Sequence, residues 1–156
     1  MKAEELNERL APIALAMGVE TLALDEEGAV TLVSDMVEIL IEADEDSDSV
    51  FISALLASAP PMGATDILEQ MLRANVLTQQ TAGATLGMDR DLNVVVLSLR
   101  LSGAELRAHE PAFQERLMTF IEAAEYWAFM LSEEGLDAAS AQTDEAHRIH
   151  LSTYRG

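Results

Sequence analysis

Residues 37–57, VEILIEADEDSDSVFISALLA, decide the fold. Val37, Ile39 and Ile41 alternate with Glu38, Leu40 and Glu42. Val50, Ile52 and Leu56 resume the alternation beyond an acidic turn from Asp44 to Ser49. A period of two marks a strand with one buried face, so the stretch predicts an antiparallel hairpin with those six residues in the core. The opposite set is mixed. Met36, Leu40, Phe51 and Leu55 stand there among Glu38, Glu42 and Ser53, the make-up of an exposed face with apolar pockets and a polar rim. Two readings of those four apolar residues are open. Either they contact a partner, or the second helix or another copy of the chain covers them.

Working upstream, Leu6, Leu10, Ile13, Ala14 and Met17 fall at helical spacing and Gly18 ends the pattern, which predicts a first amphipathic helix over 3–17. Pro12 inside it predicts a kink or two short pieces. Leu22, Leu24, the turn Asp25 to Gly28 and Val30 to Val33 predict a small hairpin. Downstream, Pro60 and Pro61 stop the returning strand. Thr65 is positioned to cap a second helix with Ile67, Leu68, Met71 and Leu72 on its apolar side, ending near Asn75. Residues 81–88 and 92–101 predict two strands around Asp89-Arg90-Asp91, the second apolar on both faces at Val94 to Leu97 and so expected to be covered from both sides. Pro111 opens a long helix whose face is Phe113, Leu117, Phe120, Ile121, Ala124, Ala128 and Leu131, with Trp127 beside that face and Glu133-Glu134-Gly135 closing it.

The expected order is α-β-β-β-α-β-β-α, an α+β fold with an antiparallel twisted β-sheet, because the strands are joined mostly by short turns. Residues 1–134 form one domain. The tail from 135 to 156 lacks a strong apolar stripe.

Composition narrows function. The 156 residues include 28 acids against 9 bases and no cysteine. Disulfides, thiolate metal sites and thiol nucleophiles are therefore excluded. From Leu10 through Leu72 there are 13 acids and no Lys or Arg, so no phosphate backbone could be neutralised along that span, and nucleic acid is a poor partner. The acidic N-terminus and the lack of a long apolar run predict a soluble, cytoplasmic protein with no membrane insertion.

Candidate chemistry is sparse. Asp44, Asp46 and Asp48 have the spacing of a calcium loop, but its sixth position is Ser49 instead of Gly and its twelfth is Leu55 instead of Glu. His147 and His150 lack further ligands, and His109-Glu110 opens no HExxH motif. No metal or catalytic residue is expected, although a site that the sequence hides would make the protein an enzyme.

Four strings in order, Asp44 to Asp48 between two strands, Ala59-Pro60-Pro61 after them, Gly83-Ala84-Thr85-Leu86-Gly87-Met88-Asp89 before a valine-rich strand, and Phe120-Ile121-Glu122-Ala123-Ala124-Glu125-Tyr126-Trp127 in the last helix, resemble the CesT-like class I type III secretion chaperones. The match spans about residues 5 to 132. The resemblance implies a homodimer with the second helix near the twofold axis, hence Ile67, Leu68, Met71 and Leu72 at the interface. It also implies a bacterial secreted effector whose N-terminal segment is held in extended form, with Leu10, Ile13 and Met17 of the first helix joining Met36, Leu40, Phe51 and Leu55 in contacting it. It implies no cofactor and no use of ATP. Pro12 and the tail depart from the family pattern. The rival readings are a related protein-interaction module with no secretion role, and an enzyme.

Overall fold

The computed structural model describes residues 1–34, 36–60, 64–76, 78–108 and 112–132. Expectations that rest on Pro61, His109, Glu110, Pro111, Glu133 to Gly135, the boundary at 134, His147 and His150 lie outside them. The elements run α1 (Ala3–Met17), β1 (Ala29–Val33), β2 (Glu38–Asp44), β3 (Ser49–Ser58), α2 (Thr65–Ala74), a single 3-10 turn (Gln79–Thr81), β4 (Thr85–Asp89), β5 (Val94–Ser102), α3 (Gly103–Ala108) and α4 (Ala112–Leu131). Every strand pairing is antiparallel, in the order β1-β2-β3-β5-β4.

One face of this sheet carries the core. Ile39, Ile41, Val50, Ile52, Ala54, Leu56, Leu86, Val95, Leu97, Leu99 and Leu101 are buried there. Leu6, Leu10 and Ile13 from α1 and Phe113, Leu117, Phe120 and Ala124 from α4 join them in one cluster. Burying a large apolar side chain contributes about 1.5–3 kcal/mol, so this layer dominates the folding energy. A bulge between Leu55 and Ala57 shifts the β3–β5 register by one residue, which bends the end of the central strand.

α1 is continuous across Pro12. Pro12 and Glu8 are both exposed, so the carbonyl that proline leaves unbonded is on the solvent side of the helix, where it is open to water. Gly18 closes the helix at φ 70°. Its N–H donates to the Leu15 carbonyl at 3.3 Å and the Val19 N–H to the Ala14 carbonyl at 3.0 Å, a paired cap that needs the left-handed conformation glycine adopts freely.

Several expectations are corrected. Residues 22–24 form no strand, because the Leu24 N–H is taken by the Asn7 side chain at 2.8 Å instead of by a sheet neighbour. Thr65 is the first residue of α2 and not its cap. Residues 81–84 precede β4, held in a turn where the Thr81 hydroxyl donates to the Ala84 carbonyl at 2.7 Å. Val94 and Val96 are only half-buried, so β5 is covered from one side. Trp127 is buried, since its indole N–H finds the Gln80 carbonyl at 3.0 Å. The unforeseen α3 is opened by a capping box: the Ser102 N–H donates to the Glu105 carboxylate at 3.0 Å and the Glu105 N–H to the Ser102 hydroxyl at 3.3 Å.

Candidate functional site

Among the described residues no helix covers the second face of the sheet, which is called the open face below. Pairing registers arrange it in three cross-strand rows: Ala29, Glu42, Phe51 and Arg100; then Thr31, Leu40, Ser53, Ser98 and Thr85; then Val33, Glu38, Leu55, Val96 and Gly87. The buried hydrophobic residues of every described helix belong to the cluster on the other side. Leu40 is consequently 36% exposed, Leu55 45% and Val33 68%. Met36 continues the strip beside β2 at 51%. Phe51 is half-buried, and the Arg100 guanidinium lies 5.7 Å from its ring centroid while Arg100 Nε donates to the Ser49 hydroxyl at 3.1 Å. Ser53, Leu55, Thr85, Gly87, Met88, Asp89, Val96 and Ser98 line a concavity of about 410 Å³ at the β4 end of this face.

The face has a polar rim of one sign on its β1 side. Glu38 and Glu42 stand between the apolar side chains, and Asp25, Glu26 and Glu27 form the adjoining turn. At that turn Gly28 holds φ 82°, and the Asp25 carboxylate accepts the Glu27 and Ala29 N–H groups at 3.0 and 2.9 Å.

The two edges of the sheet differ. Gly28 accepts a hydrogen bond from the Ala43 N–H at 2.9 Å and the Ser34 N–H donates to the Val37 carbonyl at 3.0 Å. Alternation then turns Val30 and Leu32 toward β2, and Thr31 and Val33 outward, with no backbone partner among the described residues. On β4, by contrast, the Asn75 carboxamide pairs with both backbone groups of Leu86, accepting its N–H at 2.9 Å and donating to its carbonyl at 3.0 Å.

Of the residues expected to touch a client, Met36, Leu40, Phe51 and Leu55 are together on the open face. Leu10 and Ile13 are not with them: both are buried, because the apolar stripe that makes α1 amphipathic is the stripe it packs inward. Met17 is exposed at the end of α1, away from that face. The α2 residues divide. Ile67 and Met71 pack into the chain's own core, Leu68 is half-buried, and Leu72 is 69% exposed.

The hairpin turn occupies its own carboxylates. The Ser47 hydroxyl, 2.6 Å from Asp44, holds the Asp44 carboxyl below its usual range. Arg107 does the same for Asp48 and also reaches Glu5 of α1 at 3.0 Å. The Ser102 hydroxyl lowers Glu105. Among the described residues no group of three His, Cys, Asp or Glu is placed to hold a metal ion. No helix there is long and apolar enough to cross a membrane.

Residues 9–128 match the Tir chaperone protein (CesT) family. The chain belongs to this family. A Chlamydia pneumoniae protein designated CPj0713/CpB0740 is 30% identical over 133 residues, covering 84% of this chain and 97% of that protein. Two solved structures share the fold. The ExsC–ExsE complex matches with a TM-score of 0.69 and 23% identity over 84% of this chain and 96% of that one. The HopA1–SchA chaperone–effector complex matches at 0.63 and 16% over 82% and 98%. The expected fold class is thereby established, with α3 added to the element order.

Proposed function

We propose that this member of the Tir chaperone family is a bacterial cytoplasmic chaperone that holds the N-terminal segment of a secreted effector in extended form on the open face of its sheet, without catalysis. The observation that carries the reading is the juxtaposition of exposed Val33, Met36, Leu40 and Leu55 with the backbone of Thr31 and Val33, which has no partner among the described residues. An unfolded segment offers apolar side chains at alternate positions and unsatisfied backbone groups, and this surface supplies a partner for each. The solved HopA1–SchA complex pairs a chaperone of this fold with an effector. The two half-used residues of α2, Leu68 and Leu72, together with exposed Val76, favour a homodimer through that helix.

Affinity capture from the native cell, followed by reconstitution with truncated clients, tests the reading. The expected client is a secreted protein whose N-terminal segment alone suffices for binding and stays protease-sensitive when bound. A client that binds through a folded domain, or whose binding ignores Leu40→Glu in a well-folded variant, overturns it. Light scattering checks the dimer, and a monomer mass at micromolar concentration refutes it.

A further inference from the structure

At its β4 end the open face sinks, because the residues there are small. Side chains on one face of a sheet stand as a relief, so small residues beside large ones leave a hollow. Ser53, Ser98 and Thr85 follow Leu40 along one cross-strand row, and Gly87 ends the next after Leu55 and Val96. A Cβ built on Gly87 would meet nothing within 4 Å. The resulting concavity of about 410 Å³ has apolar walls, from Leu55, Val96 and Met88, and four polar groups, the three hydroxyls and the Asp89 carboxylate. The Ser53, Ser98 and Thr85 hydroxyls have no hydrogen-bond partner among the described residues. Asp89 accepts the Asp91 and Leu92 N–H groups on Oδ1 at 2.9 Å each, and its second oxygen has no partner there. The neighbouring arginines do not fill the hollow. Arg100 is engaged by Phe51 and Ser49, and Arg90 is exposed in the turn beyond Asp89, outside the lining.

We infer that this concavity is a subsite for one arginine side chain of the client segment. Arginine combines an aliphatic stem that lies along apolar surface with a planar head of five N–H donors and no acceptor. The lining meets both halves. Leu55, Val96 and Met88 flank the stem, while the hydroxyls and the second Asp89 oxygen accept from the head. A wholly apolar side chain would strand those acceptors, and a carboxylate would face Asp89. The balance of 28 acids against 9 bases also favours a cationic segment at long range. That the occupant belongs to a client rests on the chaperone reading, but the preference of the hollow for a guanidinium does not.

The probe is Nα-acetyl-arginine methylamide, titrated into the full chain with isotope-labelled methyl groups. The Leu55, Val96 and Met88 signals should shift saturably, with a dissociation constant on the order of 10 mM for so small a ligand. The citrulline analogue, which lacks the charge, and the lysine analogue, which lacks the planar fork, should each bind at least about threefold more weakly. Asp89→Asn keeps the oxygen that holds the turn, and Gly87→Leu fills the hollow where a side chain has room. Both should abolish the shifts without lowering the melting temperature. Shifts that fail to saturate, that persist in either variant, or that either analogue matches overturn the subsite, and the analogue comparison needs no variant. A lower mass by light scattering in Gly87→Leu also overturns it, because it assigns the hollow to a second copy. Client binding is read separately. Gly87→Leu should weaken a captured client about tenfold, and replacing the responsible client arginine with methionine should cost nothing further in that variant. If Leu40→Glu weakens the client and Gly87→Leu does not, the chaperone reading stands and the arginine subsite falls. Probe binding without any secreted client refutes the chaperone reading and leaves the guanidinium preference intact.

Discussion

The two edges of this sheet solve one problem in opposite ways. At β4 a single carboxamide, Asn75, occupies both backbone groups of Leu86, in the geometry a neighbouring strand would use. At β1, Thr31 and Val33 have no backbone partner among the described residues and stand beside a turn made of Asp25, Glu26 and Glu27. An open edge invites pairing with any extended chain. The sheet therefore blocks one end with a side chain and leaves the other available, protected from self-association by like charge. The difference teaches where selectivity resides: at Leu86 the β4 edge is occupied by a side chain, and the β1 edge is guarded by charge alone.

The largest effect that would break this contrast comes from proline. Leu32→Pro removes an N–H directed into the β1–β2 ladder and should cost about 3 kcal/mol or more, a melting shift on the order of 10 °C. Val33→Pro, one residue on, removes an outward N–H and should cost no more than about 1 kcal/mol while lowering client affinity at least tenfold. Equal destabilisation by the two would show that Val33 is not turned outward.

Asn75→Ala should come next. It strands two partly buried backbone groups, at about 1–3 kcal/mol, and opens the β4 edge. A concentration-dependent rise in mass by light scattering should accompany the lower melting point, and a variant as stable and as monodisperse as the parent would show the cap to be idle. Leu40→Glu sharpens the comparison from the face itself. Because Leu40 is already part exposed, stability should move by roughly 0.5 kcal/mol or less while client binding falls at least tenfold in a pull-down. A several-degree loss of melting temperature would mean that something covers Leu40 instead.

The smallest expected effect is in acid. Asp44, Asp48 and Glu105 all have carboxyls lowered by their partners. A depressed carboxyl contributes stability that is present above its unfolded value and is lost as pH falls through the folded one. Unfolding should therefore steepen below about pH 4. Arg107→Gln should soften that limb through Asp48, with no change near neutrality in the contributions of Asp44 and Glu105. An acid limb unchanged in Arg107→Gln would count against the Arg107 to Asp48 pair.

Legibility in the sequence followed the range of the interaction. The hairpin faces were readable because alternation is local: the six residues assigned to the core are all buried. The α4 stripe was readable for the same reason, and all seven of its assigned residues are buried. The burial of Trp127 is not written in the α4 stripe, because its place depends on the Gln80 carbonyl, 47 residues away. The Ser102-x-x-Glu105 box that announces α3 is local, but Gly103 inside it marks a break in the strand pattern and masks the helix start. Of the open face, Met36, Leu40, Phe51 and Leu55 were legible. The free edge and its opposite were not. Which strand lies outermost, and that Asn75 meets Leu86, are facts of tertiary pairing that no period records.

Asn75 also carries a consequence for the chemical ageing of the molecule. Deamidation would exchange its donor nitrogen for a second carboxylate oxygen, which would then face the Leu86 carbonyl as one acceptor against another. A single atom thus distinguishes a capped position on that edge from an adhesive one. A preparation kept warm for long enough should acquire intermolecular β-pairing at β4 with no change in its core and no substitution in its gene.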